Sequence, residues 1–270
     1  MKSILLHANQ DAGLESRLQA ALDLVRLVDG HLTCLHTTPY EAFITGDPFG
    51  GVYALPVVVD QLKRLEDEQR ARLDGKLANE GVAWDWLQID GPSVQAILDR
   101  SRLADLVVLS LAARDDDDDE PALSLAATVA IHSRAPVLAV PQATKGLDAT
   151  GPAMVAWNGS PEVAHALRFA LPMLRRASEV HVVTVTEDCH QFPATEGCRY
   201  LALHGVGAEL HEWPRNNRSI GQALLDAAAS LDARYIVMGA YGHSRLREAV
   251  LGGVTREMMR QSPVPLLLGH

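Results

Sequence analysis

The chain writes one structural unit twice, and this repetition limits the possible folds more than any other feature. Ser3-Ile-Leu-Leu-His7 is a short apolar run. Leu14, Leu18, Ala21, Leu22, Val25 and Val28 then recur at helical spacing, and His31-Leu-Thr-Cys-Leu-His36 is a second run. Apolar runs of this length suit parallel strands buried on both faces, and the spacing between them suits an amphipathic crossover helix. The same order returns about 150 residues later (153 − 3 = 150): Ala153-Met-Val-Ala-Trp157, a helix that Ser160 caps ahead of Pro161 and Glu162, then His181-Val-Val-Thr-Val-Thr186.

Later in each copy, Asp105-Leu-Val-Val-Leu-Ser110 matches Arg234-Tyr-Ile-Val-Met-Gly239, and Ala135-Pro-Val-Leu matches Val264-Pro-Leu-Leu, both at an offset of 129 (234 − 105 = 129). The first copy therefore holds about 21 additional residues (150 − 129 = 21). The Pro-, Gly- and aromatic-rich stretch from Thr38 to Pro56 is the natural place for them. A helix over about 57–79, a strand near 82–88 and a helix over 92–103 complete the first copy. Strands alternating with helices predict α/β architecture: two tandem, doubly wound domains, each a five-stranded parallel sheet. Their expected bounds are 1–142 and 151–270, with the linker at 141–152.

A chain of 270 residues, 47% of them hydrophobic, can fill two such cores. No apolar run is long enough to cross a membrane, and the first ten residues are too short for a secretory signal, so a cytoplasmic protein without membrane partner is expected. Three cysteines without framework spacing fit a reducing compartment. Residues 151–270 carry 11 Arg and no Lys against 11 Asp plus Glu, so the remaining 13 basic and 23 acidic residues put the whole charge of −10 on residues 1–150. That acidity argues against nucleic acid as partner.

Chemistry is expected at Tyr235-Ile-Val-Met-Gly239, Gly242, a nine-residue loop, then Gly252, Gly253, Val254 and Thr255. The sequence predicts a strand, a glycine loop and a helix N-terminus, the last at about Arg256. Such a junction offers backbone N–H groups and the positive end of a helix dipole to a phosphate, although glycines can also serve only to turn the chain. His243, Arg245 and Arg247 could neutralise phosphate or simply be solvated. Thr255 could face the phosphate or cap the helix. At offset 129 the first copy has Ser110, Ala113, Leu123, Ser124 and Ala126 in these places, and Asp115 to Asp119 with Glu120 fill the loop. That run would repel phosphate; it reads as a solvated acidic loop or a weak divalent-metal site.

Asn158, at the end of the second copy's first strand, could pair with a nucleobase or ribose, or could hold a turn. Its counterpart at offset 150 is Ala8; a slip of one residue would substitute Asn9. Cys189-His190, Cys198 and His204 match no common zinc spacing, so no metal site is expected. No nucleophile elbow, Walker loop or metalloprotease helix occurs.

Gly239-x2-Gly242-x9-Gly252, the run Met238 to Glu248 and the segment Val155-Ala-Trp-Asn-Gly-Ser-Pro161 resemble the universal stress protein family, whose tandem members have this strand order. The resemblance implies a Rossmann-like, adenine nucleotide alpha hydrolase-like fold. It implies ATP, AMP or ADP at Gly239, Gly242, His243, Gly252, Gly253, Val254 and Thr255, with Mg²⁺ accompanying the phosphates. Val185 takes the place of the family's adenine-contacting valine. Two positions depart from the pattern: Asn158 replaces an aspartate, and Gly253 replaces a serine or threonine. The implied protein is a stress-response regulator with the nucleotide in its second domain; a homodimer is expected separately, because the final strand, Pro265 to Leu268, would offer a sheet edge for pairing. A nucleotide-free dimeric interaction module and a slow ATPase are the alternatives.

Overall fold

The computed structural model describes residues 1–39, 44–46, 52–54, 56–111, 123–185, 192–240 and 253–270. In the first half, β1 (Ser3–His7), α1 (Leu14–Val28) and β2 (His31–Thr38) are followed by a small hairpin, β3 (Ile44–Gly46) with β4 (Val52–Ala54). Then come α2 (Pro56–Leu77), β5 (Ala83–Asp90), α3 (Ser93–Ser101), β6 (Leu106–Ser110), α4 (Leu125–His132) and β7 (Val137–Val140). The second half repeats the order with β8 (Ala153–Ala156), α5 (Pro161–Leu174), β9 (Val180–Val185), α6 (Ala194–Leu203) and β10 (Glu209–Trp213). It ends with α7 (Ile220–Ser230), β11 (Tyr235–Gly239), α8 (Gly253–Gln261) and β12 (Leu266–Gly269).

The additional residues of the first half are shared between the hairpin and a longer helix, since α2 has 22 residues where α6 has 10. The strands lie in the order β5-β2-β1-β6-β7 in one half and β10-β9-β8-β11-β12 in the other. Within each half all neighbours are parallel. The two sheets are continuous: β12 pairs antiparallel with β7, Leu266 opposite Ala139 and Leu268 opposite Val137. The expected free edge at Pro265 to Leu268 is thus filled by the chain's own first half. The outer edges of the ten-stranded sheet are β5 and β10.

Alternation along each strand feeds two cores. Ile4 and Leu6 pack with Leu18, Val163 and Leu201 on the face covered by α1, α2, α5 and α6. Leu5 packs with Ile97, Val129 and Leu224 on the face covered by α3, α4, α7 and α8. Helix starts follow local chemistry. Ser124, Ser160 and Ser219 each accept a hydrogen bond from the N–H three residues on, a cap worth about 1 kcal/mol.

Equivalent hydrogen bonds fix the correspondence between the halves. Leu111 N–H donates to Val140 as Ala240 N–H donates to Gly269, an offset of 129. Ala8 N–H donates to Leu35 as Trp157 N–H donates to Val183, so the first strands correspond at 157 − 8 = 149 and the second strands at 183 − 35 = 148. Asn9, not Ala8, is therefore the counterpart of Asn158.

Candidate functional site

In each half the first and fourth strands lie side by side while the helices that follow them leave toward opposite faces of the sheet. This is the topological switch point, where open α/β sheets bind ligands beyond the strands' carboxyl ends. In the second half the crevice lies beyond β8 and β11. Extending the register of Ala156 opposite Val183 sets Asn158 beside Val185, the last residue of β9. Asn158 is exposed, and its side-chain oxygen accepts a hydrogen bond from Ser160 N–H at 3.2 Å. The carbonyl thus holds the turn into α5, and among the described residues the amide nitrogen has no partner. Val185 is half-buried beside Trp213, its partner across β10.

Gly239 ends β11, and packing alone requires it: a β-carbon there would lie 2.6 Å from Val163 N and 3.0 Å from Glu162 Cβ. The first turn of α5 sits directly on this strand end. The first half makes the same close approach with the glycine on the other partner. Ser110 stands for Gly239 and Gly13 for Glu162, and a β-carbon on Gly13 would meet the Ser110 side chain at 2.2 Å. Gly253 differs, because among the described residues no atom lies within 4 Å of where its β-carbon would be.

Helix α8 starts at Gly253, three residues before the expected start at Arg256, so Gly253 supplies the first of its unpaired N–H groups. Thr255 lies inside the helix, and its side chain is buried. Val254 is half-buried. An open groove of about 820 Å³ runs between α7 and α8, lined by Gln222, Asp226, Gly253, Arg256, Glu257 and Arg260. Gly242, His243, Arg245, Arg247 and Gly252 lie outside the described residues, as do the acidic run Asp115 to Glu120 and the pair Cys189-His190.

In the first half the strand ends are braced from beneath by an arginine. Arg17 is fully buried where the second half has Ala166. Its guanidinium donates to the carbonyls of His7 (2.6 Å) and Asn9 (2.5 Å), to the Asp11 carboxylate (2.5 Å) and to Ser110 Oγ (2.9 Å). Burial pushes the Asp11 carboxyl up, but hydrogen bonding and charge from Arg17, aided by Gly13 N–H, outweigh it and hold the group below its ordinary value. Burial, reinforced by Arg17, lowers His7 to about 4. Asn9 is fully engaged: its amide nitrogen donates to the Thr37 carbonyl at 2.7 Å, and its oxygen accepts from Thr37 N–H at 2.9 Å. Thr37 corresponds to Val185. A cavity of about 570 Å³ opens at these strand ends, lined by Asn9, His36, Thr37, Thr38, Glu66 and Gln69 among others. Its walls are cross-linked by Thr38 and Gln88 on Glu66 and by Gln69 on the Ala8 carbonyl.

Strand order and crevice define the class: a two-lobed, doubly wound α/β protein whose first lobe is braced by a buried arginine. The sequence model of the universal stress protein family matches residues 198–269, which include the whole glycine stretch. A universal stress protein from Archaeoglobus fulgidus DSM 4304 has a similar structure, with a TM-score of 0.74 at 18% identity over 99% of this chain and 96% of that one. A functionally unknown protein from Pseudomonas aeruginosa PAO1 has a TM-score of 0.58 at 17% identity over 99% of this chain and 92% of that one. No curated protein matches the sequence. Residues 198–269 thus match the universal stress protein family, and over its full length the chain has a fold similar to that of the Archaeoglobus protein. Among the described residues no helix is long and apolar enough to cross a membrane.

Proposed function

We propose that the second half, residues 151–270, binds an adenine nucleotide, ATP or AMP, beyond β8 and β11, and that the protein serves as a stress-response regulator without dedicated catalysis. The observation that carries this reading is Gly253. It opens α8, no neighbour among the described residues forbids it a side chain, and it follows the spaced glycines 239, 242 and 252. Packing accounts for Gly239 but not for Gly253; backbone N–H groups kept open to a phosphate do account for it. Asn158 and Val185 lie together where a nucleoside would sit, and Mg²⁺ would enter with the phosphates of ATP. The first half, residues 1–142, takes the part of a diverged, nucleotide-free lobe, in which Asn9 is held by Thr37 and the strand ends by Arg17.

Purified protein, denatured and with its supernatant analysed by mass spectrometry, is expected to release adenine nucleotide. Calorimetry on the emptied protein is expected to detect one ATP site. No nucleotide released and no heat of binding would overturn the reading. Gly242→Val should weaken binding at least about tenfold, roughly 1.4 kcal/mol, while leaving the fold intact. A second reading, an interaction module that binds no nucleotide, is favoured by the Asn158 carbonyl being engaged with Ser160 N–H. It requires biological function to survive Gly242→Val. Self-association would have to use the β5 or β10 edge or a helix face, because β12 is paired within the chain.

A further inference from the structure

At the outer edge of the second half, three metal-binding side chains converge on one face of the sheet. His181 of β9 lies opposite Glu209 of β10, and His211 is two residues further along β10 opposite Val183. Period-two alternation puts His181 and His211 on the Val183 side, the face covered by α7. His181 Nδ1 is 3.1 Å from His211 Nε2, and Glu209 Oε2 is 3.7 Å from His211 Nε2 and 4.0 Å from His181 Nδ1. Tetrahedral zinc with bonds of about 2.0–2.1 Å sets its donor atoms roughly 3.3 Å apart, so a small carboxylate rotation completes three of four positions. His181 is buried, whereas the Glu209 side chain is exposed, which leaves the fourth position to water.

The opposite nitrogen of His181 supplies an independent argument. Nε2 lies 3.2 Å from the Glu179 carboxylate. A proton held there on Nε2 leaves the Nδ1 lone pair aimed at His211 and Glu209, the carboxylate–histidine–metal arrangement that orients ligands in zinc sites. The first half serves as an internal control. Thr33, Asp85 and Leu87 occupy the three corresponding places, and there Asp85 accepts hydrogen bonds from the Thr33 hydroxyl and the His31 ring. Two histidines are therefore no requirement of this sheet edge. The site is separate from the crevice, since His181 and Val185 are four residues apart on one strand, about 13 Å.

We propose that His181, His211 and Glu209 bind one Zn²⁺ ion, with Glu179 as a positioning residue. Full-length protein stripped by a chelator would be titrated with zinc chloride against a chromophoric competitor, and with cobalt(II) to observe the visible bands of a tetrahedral site. One equivalent is expected, with zinc raising the melting temperature. His211→Ala should lose at least about a hundredfold in affinity, and Glu209→Gln should also weaken binding, with unchanged far-ultraviolet circular dichroism. Glu179→Gln should retain one equivalent at about tenfold lower affinity. Failure of the native chain to bind zinc, or undiminished binding by His211→Ala, would overturn the proposal. The nucleotide measurements, run in chelator, are independent of either outcome.

Discussion

The two halves share one strand order yet seat their first helix on the sheet by opposite means. In the second half the strands give way: Gly239 and Gly269 lack side chains where Val163 and Ala166 press down, with β-carbon approaches that would be 2.6 Å. In the first half Ser110 and Val140 stand in the two strand positions, Gly13 yields on the helix side, and Arg17 fills the place of Ala166. Absence of a glycine at position 110 is therefore no sign of a lost ligand, because the close contact has changed partners. The difference that bears on ligands is Arg17, whose guanidinium ties the carbonyls of His7 and Asn9 beneath the first crevice.

The largest effects should come from exchanging that arginine between the halves. Arg17→Met leaves two carbonyls and the Asp11 carboxylate without their shared donor, at a cost of about 3 kcal/mol. Urea unfolding would measure it. The reciprocal change, Ala166→Arg, should be tolerated worse still, since Gly269 already touches Ala166 and the second half has no room for a guanidinium. If Arg17→Met is neutral, the two halves are not distinguished in the way described.

Next comes pH. His7 titrates at about 4 in the folded protein against an ordinary 6.5. Between those values the unfolded chain binds more protons, so stability is intact above 6.5 and declines as pH falls toward 4. Lowering pH from 7 to 5 should cost about 2 kcal/mol through this group. Its counterpart is Ala156, so His7→Ala should flatten the slope in that window, and Arg17→Met should shift it upward by relieving the charge on His7. An equal slope in His7→Ala would assign the acid sensitivity elsewhere.

The exchanged glycine offers a gentler test. Gly239→Ser alone should cost about 1–2 kcal/mol by overpacking against α5. Adding Glu162→Gly rebuilds the first half's arrangement, and the double variant should recover part of that loss, a coupling of about 0.5 kcal/mol or more in a double-mutant cycle. Strict additivity would mean that the contact is not exchanged between the halves.

These contrasts also mark what the sequence made legible. The bounds of β1 and α1 follow directly from apolar runs and helical spacing, because their burial is set by periodicity. The one-residue error between Ala8 and Asn9 has a physical cause. A strand buried on both faces is apolar throughout, so sliding it by one position leaves no mark in its composition. The β7 to β12 junction was illegible for a related reason, since no local pattern says whether an end strand meets solvent, a second chain or the other half. A Gly-Gly pair reads as loop, which delayed the expected start of α8. His181 and His211 are 30 residues apart and meet only through strand pairing; the Glu209-x-His211 alternation was the one local trace.

The smallest effect returns to Gly253. Its counterpart, Ser124, caps α4 by accepting a hydrogen bond from Ala127 N–H at 3.2 Å. Helix α8 begins one residue earlier in the alignment, with Gly253 already inside it. Gly253→Ser therefore meets no steric barrier among the described residues and should change stability by only a few tenths of a kcal/mol. If the open N–H groups serve a phosphate, the new hydroxyl adds a donor beside it, and ATP affinity should rise about fivefold, the value of one net hydrogen bond near 1 kcal/mol. If the serine instead turns back onto the helix as Ser124 does, it occupies an N–H group and affinity falls. Calorimetry on this one variant thus reads whether the second half's helix start is kept open for a ligand, or is merely the first half's cap with its side chain missing.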